Sequence, residues 1–186
     1  MGQGAWPTFR FENQVRYSIE FLTPNTGGTE NDRQPAPMPA LGGAYAQPLR
    51  FLDYLLHEPV RSVLLHRAGI AVTIPAPERY AVHKLIVASR RRDDDNGVLK
   101  REKDVRQAGM LMEALIETRR QADLAEVYAE AWGRGAAWKE GITRGMSYLP
   151  AHRRKQMAEG LVAGLKDLGE DPAEYGLEGS AAPTPL

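Results

Sequence analysis

The chain contains no cysteine. Disulfides, zinc–thiolate centres and thiol nucleophiles are therefore excluded. It also lacks any run of about 18 apolar residues, so no membrane-spanning helix is expected. It has no excess of charge of either sign, because 24 Lys and Arg stand against 24 Asp and Glu. A balanced chain has no global pull toward nucleic acid or an anionic membrane. Histidine is scarce: His57, His66, His83 and His152 are scattered, and no pair has the spacing at which a helix presents two metal ligands. There is no G-x-x-x-x-G-K-[ST] phosphate loop, no G-x-S-x-G elbow and no His-Glu-x-x-His pair. Met1 to Arg10 lack the apolar core of a secretory signal, so a cytoplasmic protein is expected. What is present is a hydrophobic fraction of 42% in 186 residues, enough for the core of one domain, with or without a small satellite.

The pattern along the chain changes from period two to period 3.6. Phe9 and Phe11 alternate with Arg10 and Glu12; Val15, Tyr17, Ile19 and Phe21 alternate with Arg16, Ser18, Glu20 and Leu22. This predicts a hairpin with one buried face, turning at Glu12-Asn13-Gln14. Residues 24–48 are rich in Pro, Gly, Asn and Thr without any period, which predicts a long surface loop. A short helix is expected over Leu49–Leu56. Two short strands, Val60–Leu65 and Ile70–Ile74, should join around Ala68-Gly69. Beyond Pro75 and Pro77 the chain reads as helices over about 78–91, 100–118, 122–132, 135–147 and 151–168. Val105, Ala108, Met112 and Leu115 share one apolar face. Residues 92–98 should be a solvated loop, and the tail from Asp171 should be disordered. The expected class is α+β: a strand-bearing region over 1–75, a helical region over 76–170 and a tail over 171–186.

Few residues invite chemistry. Asp93-Asp94-Asp95 follows Arg90-Arg91-Arg92, and three adjacent aspartates cannot all face one ion in a regular element. The run reads as a charged loop. Glu20, on a strand whose other face is apolar and close to the long loop, has the chemistry of a ligand for a hard cation such as magnesium, or is simply an exposed strand position. Lys84 falls on a helix edge with Tyr80 and Ala88. Asp104 falls in the first turn of the next expected helix, where a carboxylate suits the helix dipole. A lysine that is half buried needs a carboxylate partner, so Lys84 and Asp104 form the natural pair.

Four stretches together resemble a bacterial nucleotidyltransferase-fold family. They are Tyr17-Ser-Ile-Glu-Phe-Leu-Thr-Pro24, Gln47-Pro-Leu-Arg-Phe-Leu-Asp-Tyr-Leu-Leu56, Ile74-Pro-Ala-Pro-Glu-Arg-Tyr-Ala-Val-His-Lys-Leu-Ile-Val-Ala-Ser-Arg90 and Lys100-Arg-Glu-Lys-Asp-Val-Arg-Gln-Ala108. They are similar to that family's V-D-x-L-T-P strand, its helix after a long loop, its P-x-P-E-R-Y-A-x-H-K-L helix and its K-x-x-K-D-x-x-Q-A helix. Related folds occur in the nucleotidyltransferase toxins of abortive-infection systems. The resemblance covers about residues 8–148 and implies the C-terminal portion of such a protein. It implies that Glu20 stands where the family's third metal-site carboxylate, an aspartate, would be. It also implies that Lys84 and Asp104 face a nucleotide, with Lys84 near the triphosphate, and that Lys103 and Arg90 are further phosphate contacts.

In that family a Gly-Ser turn with its helix, and a strand with an Asp-x-Asp or Asp-x-Glu pair, precede this strand by many tens of residues. Here sixteen residues precede Tyr17, and neither motif is among them. The resemblance thus implies a truncated form of a magnesium-dependent enzyme that transfers a nucleotidyl group from a nucleoside triphosphate to an RNA or protein acceptor. Such a chain is expected to be inactive alone, since transfer of this kind rests on positioned metals. A sheet lacking its first strands would expose an edge, which predicts self-association. Two other readings compete. One is a non-catalytic module that binds a partner protein or a nucleotide. The other is nucleic-acid binding through Arg90-Arg91-Arg92, Lys100-Arg101, Arg119-Arg120 and His152-Arg153-Arg154-Lys155, although acids balance each cluster.

Overall fold

The aromatic and β-branched alternation near the N-terminus does yield strands, in shorter pieces than its length suggests. A computed structural model describes residues 11–12, 18–25, 34–42 and 44–177. The chain divides into two compact units, Met1–His57 and Glu58–Leu186.

In the first unit, β1 (Phe11–Glu12) pairs antiparallel with β2 (Ser18–Ile19), placing Phe11 opposite Ile19 and Glu12 opposite Ser18. The expected turn lies mostly outside the described residues, and Glu12 itself is in β1. The chain then changes partners. β3 (Leu22–Pro24) runs parallel to β5 (Ala44–Leu49), and β4 (Ala36–Met38) pairs antiparallel with β5, in the order β3-β5-β4. Two of these strands fall in the segment 24–48, whose composition predicts a loop. Its alternation is written in small residues and proline: Ala44, Ala46 and Pro48 are buried, while Tyr45 and Gln47 are partly exposed. Those residues carry little of the β-branched signal by which strands are recognised. Pro48 has no N–H to give to a ladder. Pairing with β3 runs instead through its neighbours, with Gln47 N donating to Phe21 O at 2.8 Å and Asn25 N donating to Leu49 O at 2.9 Å. Pairing with β4 has already ended at Ala46. A short helix, α1 (Leu52–Leu56), follows, and Tyr54 is fully buried.

The second unit opens with the expected ribbon, β6 (Val60–Leu64) against β7 (Ile70–Ile74), which turns at Gly69 with φ of 87°. Five helices follow: α2 (Pro77–Ser89), α3 (Asp95–Glu117), α4 (Gln121–Gly133), α5 (Ala136–Ser147) and α6 (Ala151–Asp167). Their centre holds Leu85, Ile86, Met112, Leu124, Ile142, Met157, Leu161 and Leu165, all fully buried. Val105, Ala108, Met112 and Leu115 of α3 face inward as the periodicity requires. From residue 100 to 168 there is no strand.

Two expectations in this unit need correction. The stretch read as a solvated loop over 92–98 contains the start of α3, because Asp94 caps it: its Oδ1 accepts from Gly97 N at 2.6 Å. Asp93 is instead held by Arg101 at 2.6 Å, whose hydrogen bond and charge keep the Asp93 carboxyl below the usual range. The tail, expected to be disordered from Asp171, is structured as far as Leu177, and residues 178–186 lie outside the described residues. A 3-10 turn spans Pro172–Tyr175, with Ala173 N donating to Asp171 Oδ1. Tyr128 Oη donates to Tyr175 O at 3.1 Å, and Trp132 Nε1 donates to Glu174 O at 3.0 Å. Two aromatic donors in α4 thus fix a turn whose own sequence shows no apolar period.

Close helix packing sets the first prediction. A Cβ at Gly145 of α5 would stand 2.3 Å from Leu85 O and 2.7 Å from Leu85 Cβ of α2. Gly145→Ala should destabilise the chain by about 2 kcal/mol or more, since a packed core cannot absorb the overlap. Urea denaturation measures it. The second prediction concerns Glu130, which receives Arg79 and Arg134, each at 2.6 Å. Burial pushes its carboxyl upward, but the hydrogen bonds and charges of the two arginines outweigh this and hold it below the ordinary range. A carboxyl whose pKa is lower folded than unfolded stabilises the fold at neutral pH. That contribution is lost as pH falls from the ordinary glutamate value, about 4.3, through the folded one. Glu130→Gln should therefore melt lower at pH 7, and the gap to wild type should close as the pH falls through that window.

Candidate functional site

Asp104 carries its carboxylate inside the protein. It sits in the third turn of α3 rather than in the first turn expected, because the helix starts at Asp95; α2 packs against it there, and its side chain is 0% exposed. A buried carboxylate is tolerated when hydrogen bonds and opposite charge surround it. Lys84 Nζ of α2 donates to Oδ1 at 2.7 Å. Arg91, just past the end of α2, brings Nε at 2.8 Å and Nη2 at 2.7 Å to Oδ2. Lys84 and Arg91 are seven residues apart, two helical turns, and so reach the same face. Lys84 is also steadied by the ring of Tyr80, whose centre lies 5.1 Å from Nζ. Two cations against one carboxylate leave the cluster with one positive charge, and both cations are partly exposed. The cluster therefore carries its surplus positive charge at partly exposed groups.

The pair expected from the sequence, Lys84 with Asp104, is thus formed. Arg91 enters the sequence reading only within the run Arg90-Arg91-Arg92, and its spacing from Lys84 is the signal that marks it as a second partner of Asp104. Arg90 is exposed at the end of α2 and lines two cavities together with Arg91. The larger, about 370 Å³, extends to Glu140 and Arg144 of α5. The smaller, about 260 Å³, extends to Arg92 and Lys100 at the start of α3. Lys103 is exposed on α3 and lines neither. Glu20 belongs to the first unit. It is exposed and lies between β2 and β3 rather than within a strand, because the chain changes pairing partner there. Among the described residues no three His, Cys, Asp or Glu gather as a metal site. Glu20 offers one hard oxygen ligand, which does not fit a two-metal centre on its own.

Removing the shared carboxylate should cost more than removing either cation. Asp104→Ala leaves two cations facing each other across a buried gap and should destabilise by about 3 kcal/mol. Lys84→Met leaves Asp104 with Arg91 and should cost less than half as much. Chemical denaturation of both variants beside wild type tests the order.

The family model described as Nucleotidyltransferase matches residues 2–133. No curated protein and no solved structure matches the chain significantly. The matched span runs from the N-terminal strands through α4 and includes Glu20, Lys84, Arg91 and Asp104; α5 and α6 lie beyond it. The likeness is therefore not confined to the family's C-terminal portion, as the motif reading implied. Among the described residues no helix is long and apolar enough to cross a membrane. With some two thirds of its length inside that match, the chain belongs to the nucleotidyltransferase family.

Proposed function

We propose that this is a bacterial nucleotidyltransferase-fold protein, akin to the toxins of abortive-infection systems, whose Lys84–Asp104–Arg91 cluster meets the phosphates of a nucleoside triphosphate. The supporting observation is the buried Asp104 carboxylate, which holds two cations in fixed positions and leaves a net positive charge on the cluster. Nucleotidyl transfer depends on placing and neutralising phosphate charge, and fixed cations do this without reorganising. Arg90 and Lys103 act as outer phosphate contacts in this reading. Glu20, in the other unit, would serve as a magnesium ligand only in a site that further carboxylates complete. Among the described residues no group of carboxylates gathers as a metal site, and the reading taken is nucleotide binding without transfer. Location in the cytoplasm belongs to the same proposal. So does self-association through a strand edge, for which the exposed Val60, Leu64, Ile70 and Ile74 of the β6–β7 ribbon are the natural surface.

The test has two arms. Purified chain with magnesium, labelled nucleoside triphosphates and RNA or protein acceptors should transfer no label above background. A fluorescent nucleoside triphosphate should nevertheless bind, and Lys84→Met should weaken it about ten-fold while the far-UV spectrum is unchanged. Transfer abolished by Glu20→Gln would overturn the inactivity. Absence of binding at millimolar nucleotide would overturn the role of the cluster.

A further inference from the structure

The two cavities beside the cluster have walls that the nucleotide reading does not use. They share Arg90 and Arg91, so they adjoin across these residues. Arg144 guards the far side of the larger cavity. Its Nε donates to Tyr148 Oη at 2.8 Å, and its charge also acts on Asp93 of the same wall. Arg92 and Lys100 line the smaller cavity, and neither has a carboxylate within ion-pair distance among the described residues. The nearest acids are already engaged. Asp93 is paired with Arg101, and Asp94 accepts from Gly97 N. That capping bond satisfies one N–H at the start of α3, and the side chains of Arg92 and Lys100 bring the positive charge of the smaller cavity. Glu140 is the one carboxylate on these walls with no such engagement.

We propose that this double cavity is a binding site for consecutive phosphate groups, one seated toward Arg144 and the next toward Arg92 and Lys100, with Arg90 and Arg91 between them. Arginine suits this task because its planar fork of donors matches phosphate oxygens, and cations spread over two adjoining cavities suit a chain of phosphates better than a lone anion. The ligand chemistry is a polyphosphate or phosphodiester chain, which a free polyphosphate tail or a strand of RNA can supply. The site does not require Lys84 to bind a nucleotide. Its α5 wall lies outside the residues that match the family.

The experiment titrates the full chain at low salt with inorganic tripolyphosphate and, separately, with a short single-stranded oligoribonucleotide. Arg144→Ala and the pair Arg92→Ala with Lys100→Ala should each weaken binding by about three-fold or more, as expected for partly exposed ion pairs. Glu140→Gln should tighten it, because it removes the opposing charge. The pair Arg154→Ala with Lys155→Ala on α6 should leave it unchanged. Tighter binding of the oligoribonucleotide assigns the site to RNA, and tighter binding of tripolyphosphate assigns it to a free polyphosphate. The proposal is overturned if neither probe binds. It is also overturned if the α6 variant weakens binding as much as the cavity variants, which marks unspecific attraction. Loss on Lys84→Met with no loss on the Arg92, Lys100 and Arg144 variants would sink this site and leave the nucleotide reading standing.

Discussion

One buried charge organises the helical unit. Asp104 has no access to water, and the fold is viable only because Lys84 and Arg91 come to it from the neighbouring helix. A buried ion pair contributes little net stability compared with an apolar contact, but breaking one is costly. Its consequence is specificity of arrangement. α2 and α3 cannot slide past each other without stranding the carboxylate, so the positions of Tyr80, Lys84 and Arg91 along one edge are fixed together. The cavities around Arg90 and Arg91 inherit that fixity. Arg79 shows the same logic elsewhere in the bundle, being buried and satisfied by Glu130.

The parts of this structure legible in the sequence are those in which side-chain type and period agree. The helices of the second unit, and the apolar face of α3 in particular, follow from spacing alone. So does the β6–β7 ribbon, whose alternation is carried by Val and Ile and punctuated by glycine. Failures occurred where small or polar residues did structural work. β5 hides its alternation in alanine and proline, so its buried face carried no volume that a hydrophobicity pattern registers. The aspartate run looked like one feature because its members are identical. Its three residues are nevertheless divided among an ion pair, a helix cap and a first helical turn.

The site was half legible. Burial of Lys84 made a carboxylate partner necessary, and motif and spacing pointed to Asp104. Arg91 was lost inside a run of three arginines, where adjacency masked the difference between residues facing α3 and those facing solvent. The contribution of α5 was not legible at all. Glu140 and Arg144 are remote in sequence from Arg90, and only the packing of α2 against α5, with glycine at the closest approach, brings them to one cavity.

The hold of α4 on the chain beyond α6 has an optical consequence. Trp132 gives its indole N–H to Glu174 O, is stacked on Tyr128 with ring centres 5.9 Å apart, and lies against Gly176 so closely that a Cβ there would fall 2.5 Å from the ring. If the turn at Pro172–Tyr175 detaches, the indole exchanges a carbonyl and a backbone wall for water. Its emission is then a local gauge of whether the end of the helical unit is seated. Trp138, lying instead under the Arg134 guanidinium at 5.0 Å, would report on a different contact of the same unit.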